Sequence, residues 1–249
     1  MNISLIIPAY NEQVNIQKGV LDKIGNYVAD HPAFSEVIIV DDGSSDNTKA
    51  LIKQHYLPKF KRFRLIENKH QGKALAVITG IQHAKGDNVM FMDIDLATPI
   101  EEVEKLISGI KKGNNLAIGS RSRKRENAPL TRKVMASGFI LLRNVVLGLR
   151  GIADTQCGFK MFERDAALKI IDRLQVFTPA RSAHGASVTA GFDLEFLYIA
   201  QRLGYKIAEI PVTWQHVETK NVRVIKDTVE TLVDIMRIKW YELHGKYKK

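Results

Sequence analysis

The chain has 249 residues, of which 45% are hydrophobic and 26% charged, and its 37 Lys and Arg against 27 Asp and Glu give a formal net charge of +10. This composition is typical of one soluble globular chain that is long enough to bury a sizeable core. The single cysteine, Cys157, excludes an intramolecular disulfide framework and a cysteine-based zinc site, and it favours a reducing compartment. The segment Met1–Pro8 lacks a basic stretch and a cleavage site, so it predicts a strand rather than a signal peptide.

Short apolar runs in the first 120 residues predict strands. They are Ile3–Pro8, Val37–Val40, Phe63–Ile66, Val89–Met92 and Leu116–Ile118. Between them, segments near 12–29, 46–56, 72–84 and 100–112 carry apolar residues at helical spacing. This alternation predicts an α/β fold with a mostly parallel, Rossmann-like sheet flanked by helices.

A polar cluster follows each of four predicted strands. The clusters are Pro8–Glu12, Asp41–Ser44, Asp93–Asp95 and Gly119–Arg121. Because ligands of open α/β sheets bind at the carboxyl ends of the strands, we expect the clusters to form one site.

Asp93 and Asp95 are the strongest local signal for chemistry. Two carboxylates separated by one residue can both reach a divalent cation, with water and a diphosphate completing its coordination. The same pattern also occurs in turns and helix caps, and a helix is predicted soon after Pro99.

Asp41, Asp42 and Lys73 are candidates for nucleotide recognition. The two carboxylates can accept hydrogen bonds from a base N–H or from ribose hydroxyls, while Ser44 or Ser45 caps the next helix. Lys73 begins a predicted helix, which suits a phosphate group, and an ordinary surface lysine is the alternative. The pattern is not a Walker loop, which excludes an ATPase of that class.

Basic residues are concentrated in two regions, since residues 121–150 carry a net +7, residues 220–249 carry +4 and the remainder carries −1. The first region includes arginines that suit phosphate, although charge runs are usually solvated. Its apolar part, 134–149, is too short and too polar to predict a spanning helix, but it could lie flat at a membrane. The second region predicts a basic amphipathic helix over 221–249, either packed on the domain or lying on a membrane.

After residue 120 the alternation of strands and helices is lost in the sequence. Cys157 lies in a polar segment, Asp154–Lys160, and is interpreted as structural because no histidine is near it. Asp193 could be a base or a helix cap. The histidines lack His-x-x-x-His spacing, so no zinc site is expected.

Together and in this order, the clusters and Gly72-Lys73 resemble the motifs of family 2 glycosyltransferases with the GT-A fold. The resemblance covers residues 1 to about 215, which predicts a catalytic domain over 1–215 and a basic amphipathic C-terminal helix over 216–249. Within the family, two motifs are most similar to the branch of the dolichyl-phosphate glucosyltransferases and mannosyltransferases: Asp154–Lys160 and Phe192–Glu195. The sequence Thr-Gln-Cys-Gly-Phe-Lys in the first motif favours the glucosyltransferases.

The resemblance implies an inverting transfer of a hexose, with glucose favoured, from a nucleotide-diphosphate sugar, with UDP-glucose favoured, to a polyprenyl or dolichyl phosphate. It implies Mg²⁺ or Mn²⁺ at Asp93 and Asp95. The acceptor phosphate is already largely ionised at pH 7, so no strong general base is needed. The nucleotide sugar would contact Pro8, Tyr10, Glu12, Asp41, Asp42, Lys73 and Asp93, and the acceptor phosphate Arg121, Arg132 and Ser137. The predicted catalytic set is Asp93, Asp95, Arg121, Arg132 and Asp193.

Three alternatives stay open. A GDP-mannose-dependent transferase is disfavoured by Ala97, because mannosyl enzymes of the family often have Gln there. A transferase to a sugar or protein hydroxyl would need a base, for which Asp193 is the candidate. A nucleic-acid-binding module would leave the acidic clusters unused, so we expect no nucleic-acid partner. We expect a cytoplasmic protein associated peripherally with the cytoplasmic face of a membrane, and the sequence indicates no oligomeric state.

Overall fold

The structure is a computed structural model that describes residues 1–121, 138, 140, 142–149, 151–178, 190–215 and 224–247. Its strands form one sheet: β1 (Ile3–Ala9), β2 (Phe34–Asp41), β3 (Phe63–Glu67), β4 (Asn88–Met92), β5 (Leu116–Arg121), β6 (Phe159–Glu163) and β7 (Ile207–Val212). The order across the sheet is β3-β2-β1-β4-β6-β5-β7. Strand β6 pairs antiparallel with both β4 and β5, whereas the other pairings are parallel. The predicted α/β class and mostly parallel sheet are confirmed.

Helices cover both faces of the sheet. They are α1 (Gln13–Gln17), α2 (Val20–Asp30), α3 (Thr48–Leu51), α4 (Leu57–Lys59), α5 (Lys73–His83), α6 (Val103–Lys111), α7 (Arg164–Ile171), α8 (Ala190–Arg202) and α9 (Val224–Leu243). A π-helical turn at Ile52–Tyr56 joins α3 to α4, and a 3₁₀ turn at Ile100–Glu102 precedes α6.

Alternate residues of β1 enter two different hydrophobic cores. Ile6 packs with α5 in one core, whereas Leu5 and Ile7 pack with α2 in the other. Gly80 of α5 permits the close approach to β1, because a Cβ there would lie 2.4 Å from Cγ2 of Ile6. A strand buried on both faces favours apolar residues at nearly every position, and β1 is apolar except at Ser4, whose buried hydroxyl donates to Glu36 Oε1 at 2.7 Å.

The five predicted strands are confirmed, and the structure adds two strands, β6 and β7, after residue 120, where the sequence shows no clear alternation of strands and helices. The sequence of β6, Phe-Lys-Met-Phe-Glu, places a lysine at a position that is fully buried in the structure. An ion pair compensates that charge, and its partner is distant in the sequence, so the apolar pattern of a buried strand is hidden.

The C-terminal helix α9 has one buried and one exposed apolar face. Ile235 and Ile238 lie in the core that includes residues of α8, and Tyr247 beyond the end of α9 is buried in the same core. The opposite face exposes Val229, Val233, Met236, Trp240 and Leu243, which we call the outer stripe. The apolar residues predicted for one face of this helix are therefore divided between two faces.

Within the described residues, no helix combines the length and the apolar character that crossing a bilayer requires.

Candidate active site

The loops after β1 and β2 are held together by side-chain hydrogen bonds. Asn11 adopts a positive φ of 55°, and its Oδ1 accepts a hydrogen bond from the Ser45 backbone N–H at 2.8 Å. In return, the Asn11 backbone N–H donates to Ser44 Oγ at 3.0 Å, and the Glu12 backbone N–H donates to Thr48 Oγ1 at 2.7 Å. Asparagine tolerates the left-handed conformation, so the turn can tie the loop that carries Tyr10 and Glu12 to the loop that follows Asp41 and Asp42.

Asp42 organises the loop that leads into α5. Its carboxylate accepts hydrogen bonds from the backbone N–H groups of Gln71 at 2.9 Å and Gly72 at 2.7 Å, and contacts His70 Nδ1 at 2.8 Å. The ring of His70 stacks on Tyr10, with ring centroids 4.1 Å apart. Asp42 is buried, so these contacts give it a positioning role at the site.

Asp41 carries a buried acceptor that the fold leaves unused. Its Oδ2 accepts a hydrogen bond from the Ser44 backbone N–H at 3.2 Å, but its Oδ1 has no hydrogen-bond partner among the described residues. A buried carboxylate oxygen without a donor is costly, and such groups often mark a functional site. Asp41 therefore suits a ligand N–H or hydroxyl.

Lys73, Asp93 and Asp95 form the charged centre of the site. The Lys73 ammonium, at the first residue of α5, makes an ion pair with Asp93 Oδ1. Burial lowers the pKa of Lys73, but Asp93, Asp193 and Asp95 outweigh this effect and the net pKa is raised. Burial raises the pKa of Asp95, and the charge of Asp93 adds to this rise, although the Ala97 backbone N–H opposes it. A further cation would relieve this repulsion.

Gly158 and Leu96 shape the loop that carries the two carboxylates. A Cβ at Gly158 would lie 2.1 Å from Asp93 Oδ2, so the Asp93 carboxylate occupies the space that a side chain would fill. Leu96 adopts a positive φ of 54°, which is uncommon for a branched residue and is typical of functional loops. The Asp95 Oδ1 atom accepts a hydrogen bond from the Ala97 backbone N–H at 3.0 Å.

The pair Asp93 and Asp95 fits a metal that is shared with a ligand. Within the described part of the chain, no group of three or more His, Cys, Asp or Glu side chains is arranged to hold a metal ion. Two carboxylates in a space kept open by Gly158 suit a hard divalent cation whose remaining ligands come from a diphosphate and water.

The guanidinium of Arg121 is paired with the carboxylate of Asp154. Its Nε and Nη2 atoms donate to Asp154 Oδ2 and Oδ1 at 2.7 and 2.9 Å, and its guanidinium lies 5.8 Å from the ring centroid of Trp214. Burial disfavours the ionised form of Asp154, but the pairing with Arg121 outweighs it and lowers the pKa of Asp154. Glu209 of β7 supports this pair, since its carboxylate accepts the Asp154 backbone N–H at 2.7 Å.

Asp193 is paired with a buried lysine. The Lys160 ammonium, on β6, lies 2.7 Å from Asp193 Oδ1 and 5.2 Å from the ring centroid of Phe91. Lys160 is 1% exposed, so the pair offsets the cost of burying its charge. Cys157 beside it is also buried, and burial raises the pKa of its thiol to about 11.

The structure brings most of the predicted site residues to the carboxyl edge of the sheet. Pro8, Tyr10, Glu12, Asp41, Asp42, Lys73, Asp93, Asp95, Arg121 and Asp193 lie on the strands, loops and helix starts of this edge. Arg132 and Ser137 lie outside the described residues, and their roles stay predictions. Sequence reasoning missed His70, Asp154 and Lys160 as site residues, although the last two begin and end the motif that carries the branch resemblance.

The chain matches a known family over most of its length. The model of the family described as Glycosyl transferase family 2 matches residues 4–171. The dolichyl-phosphate β-glucosyltransferase of Saccharomyces cerevisiae is 32% identical, over 99% of this chain and 76% of that protein. The human protein of the same name is also 32% identical, over 99% of this chain and 77% of its own length.

Solved structures share the fold at lower identity. Glucosyl-3-phosphoglycerate synthase from Mycobacterium tuberculosis, in complex with Mn²⁺, UDP and glucosyl-3-phosphoglycerate, is 20% identical, with a TM-score of 0.67 over 96% of this chain and 80% of that one. Mannosyl-3-phosphoglycerate synthase from Rubrobacter xylanophilus is 14% identical, with a TM-score of 0.61 over 100% of this chain and 76% of that one. The predicted GT-A fold is confirmed. The chain belongs to glycosyl transferase family 2 and, within it, to the branch of the dolichyl-phosphate β-glucosyltransferases.

Proposed function

We propose that the protein transfers glucose from UDP-glucose to a polyprenyl or dolichyl phosphate and inverts the anomeric carbon. The cluster of Lys73, Asp93 and Asp95 at the sheet edge carries this proposal, because it offers a cation and two carboxylates where a sugar diphosphate has to lie. The names of the relatives support the acceptor, the sugar and the β linkage.

In the proposed reaction, an oxygen of the acceptor phosphate forms a bond to C1 of glucose while the bond from C1 to the diphosphate oxygen breaks. The electron pair of the broken bond leaves with UDP, and an α-linked donor gives a β-linked product. The Lys73 ammonium stabilises the charge that develops on the leaving diphosphate. A Mg²⁺ or Mn²⁺ ion held by Asp93 and Asp95 would neutralise the same diphosphate when bound.

The nucleotide is proposed to bind on the β1 and β2 side of the site. Asp41 Oδ1, which lacks a hydrogen-bond partner among the described residues, suits a base N–H, and the stacked rings of Tyr10 and His70 offer an aromatic surface nearby. Pro8, near the end of β1, and Glu12, in the turn that follows, lie on either side of Tyr10 in the sequence. Asp42 acts by fixing the loop that leads to Lys73.

The acceptor phosphate is proposed to bind on the β5 side, at Arg121, Arg132 and Ser137. Asp193 keeps its predicted place in the catalytic set through its pair with Lys160 and its electrostatic effect on Lys73. Because its Oδ1 is engaged by an ammonium, Asp193 is a poor base for the hydroxyl-acceptor alternative. A phosphate acceptor, which needs no base, suits the arrangement better.

The proposed function is tested by incubating the protein with Mn²⁺, a polyprenyl phosphate and either labelled UDP-glucose or labelled GDP-mannose. We expect label in the organic phase from UDP-glucose alone and its loss on chelation of the metal. Asp93→Asn should abolish transfer, whereas Asp30→Asn, at an exposed position at the end of α2, should not change it. Lipid label from GDP-mannose, or donor hydrolysis without lipid label, would contradict the proposal.

We further propose that residues 1–215 form the catalytic domain and that the helix in 216–249 holds it at the cytoplasmic face of a membrane. The outer stripe is exposed on α9, where Arg237 and Lys239 are paired with Asp234 and Glu242. The excess positive charge of this region flanks the helix in the sequence, at Lys220, Arg223, Lys246, Lys248 and Lys249. Amphipathic segments of this kind bind anionic bilayers through apolar burial and charge. Flotation with anionic vesicles at low salt should carry the protein, and Met236→Glu should weaken this; an unbound wild-type protein would contradict peripheral docking.

A further inference from the structure

Trp214 lies at the active-site edge of the sheet, on the side away from the nucleotide loops. It follows the carboxyl end of β7 by two residues, and β7 pairs with β5 so that Val212 is opposite Arg121. The β1 and β2 loops lie on the other side of β4 in the order of the sheet. Trp214 is 40% exposed, so part of its apolar surface is accessible beside a charged site.

Several contacts fix the position of Trp214. The Arg121 guanidinium lies 5.8 Å from its ring centroid, and that guanidinium is itself held by the two hydrogen bonds to Asp154. The backbone on either side is also tied, because the Gln215 N–H donates to Ala97 O at 2.7 Å and the Thr213 N–H donates to Glu102 Oε2 at 3.1 Å. Trp214 is therefore connected to the Asp95 loop through its own neighbours.

We propose that Trp214 is an acceptor-binding residue whose indole ring contacts the first isoprene units of the polyprenyl phosphate. This inference rests on the proposed function, and it assigns the part of the site that recognises the apolar tail rather than the phosphate. A polyprenyl phosphate presents a charged group joined directly to a hydrocarbon chain. The β5 and β7 ends present the matching pair, with a guanidinium and an exposed indole in contact.

The alternative is that the indole only packs on the protein, on Arg121 and its other neighbours. A cation–π contact of this kind stabilises an exposed site modestly, and all the contacts together leave Trp214 40% exposed. The fixed backbone on both sides of Trp214 and its open surface are better explained by a ligand that buries the remaining area. Preorganising a rigid aromatic side chain lowers the entropy that binding costs.

Intrinsic fluorescence gives a direct binding test, because the chain has two tryptophans, Trp214 and Trp240. In a Trp240→Phe background, Trp214 is the single reporter. We expect a blue shift when a water-soluble short isoprenyl phosphate such as farnesyl phosphate is added, and no shift with inorganic phosphate. An equal response to inorganic phosphate, or no response to farnesyl phosphate, would overturn the inference.

Kinetics separate a contact with the acceptor from a structural role. Trp214→Ala should raise the KM for farnesyl phosphate about tenfold or more, with the KM for UDP-glucose and the melting temperature little changed. Trp214→Phe should retain most of the acceptor affinity because it keeps an aromatic surface. An unchanged acceptor KM in Trp214→Ala, or an equal rise in both KM values, would refute the contact.

Failure of the proposed function gives a different result. A wild-type protein that transfers glucose to no isoprenyl phosphate would overturn the proposed function, and the fluorescence titration would still decide the inference. A shift with farnesyl phosphate alone would then support an isoprenoid site at Trp214. Absence of that shift in the same protein would overturn the inference as well.

Discussion

Replacing Gly158 with alanine should impair the reaction by displacing the Asp93 carboxylate. Gly158 does not adopt a positive φ, so alanine fits its backbone conformation. The added Cβ would lie 2.1 Å from Asp93 Oδ2, and ordinary van der Waals contact begins at 3.4 Å, so the carboxylate has to move by at least 1.3 Å. The substitution therefore displaces one carboxylate of the charged centre without changing any charge.

The size of the effect follows from the displacement. A misplacement of about 1 Å in a catalytic arrangement can cost roughly 100-fold in rate. We expect kcat/KM for UDP-glucose to fall by about that factor, which corresponds to about 2.7 kcal/mol of transition-state stabilisation. Mn²⁺-dependent binding of UDP, measured by calorimetry, should weaken in parallel.

A matched glycine at the opposite edge of the sheet provides the control. A Cβ at Gly86 would lie 2.8 Å from Asn2 O and from Ser4 N, at the amino end of β1. Gly86→Ala should lower the melting temperature but leave kcat/KM of the folded protein unchanged. Wild-type kcat/KM in Gly158→Ala, or equal kinetic losses in both variants, would refute the reasoning.

Further predictions concern thiol reactivity, stability and pH. Cys157 should react with iodoacetamide at pH 8 far more slowly in the folded protein than in guanidinium chloride, because it is buried and its thiol pKa is raised to about 11. Tyr247→Phe should lower the free energy of unfolding in urea by about 1.5–3 kcal/mol, since the Tyr247 hydroxyl donates to the buried Glu195 carboxylate at 2.6 Å. Asp154→Asn should destabilise the protein at pH 7, and the deficit should shrink as the pH falls below the ordinary Asp value of 3.8, because pairing with Arg121 lowers the pKa of Asp154 in the folded state.

Each of these predictions has a result that would contradict it. For the thiol, that result is equally fast alkylation of the folded and unfolded protein. For the tyrosine, it is a loss no larger than that of Tyr205→Phe, whose ring packs against the same core. For the aspartate, it is a deficit that stays constant as the pH falls through the acid range.

The first half of the fold could be predicted because its information is local. Each parallel strand there is a short apolar run followed by an amphipathic helix, and the polar residues that end the strands lie at one edge by topology alone. Asp93, Asp95 and Lys73 could therefore be assigned to one site from their positions after β4 and at the start of α5.

The rest depends on pairs that are distant in the sequence. Lys160 is buried in β6 because Asp193 compensates its charge, and the two are 33 residues apart. Arg121, which the sequence predicts as a ligand of the acceptor phosphate, is also paired with Asp154, again 33 residues away. No local sequence pattern shows which opposite charge a side chain will pair with. Neither strand β6 nor the two ion pairs could therefore be predicted from hydrophobic periodicity.

The reversed strand β6 also has a consequence for how the chain folds. Among the described pairings, β5 is hydrogen-bonded to β6 and β7 and not to β4, which precedes it in the sequence. The first four strands can pair with segments that are near in the sequence. Strand β5 can join the sheet only after β6, near residue 160, has paired with β4, because β6 lies between them. Contacts of such sequence separation form late, because their loops are entropically expensive to close. We therefore expect β4 to remain an edge strand of the sheet during synthesis, and the catalytic centre to be completed only after β6 has paired with it.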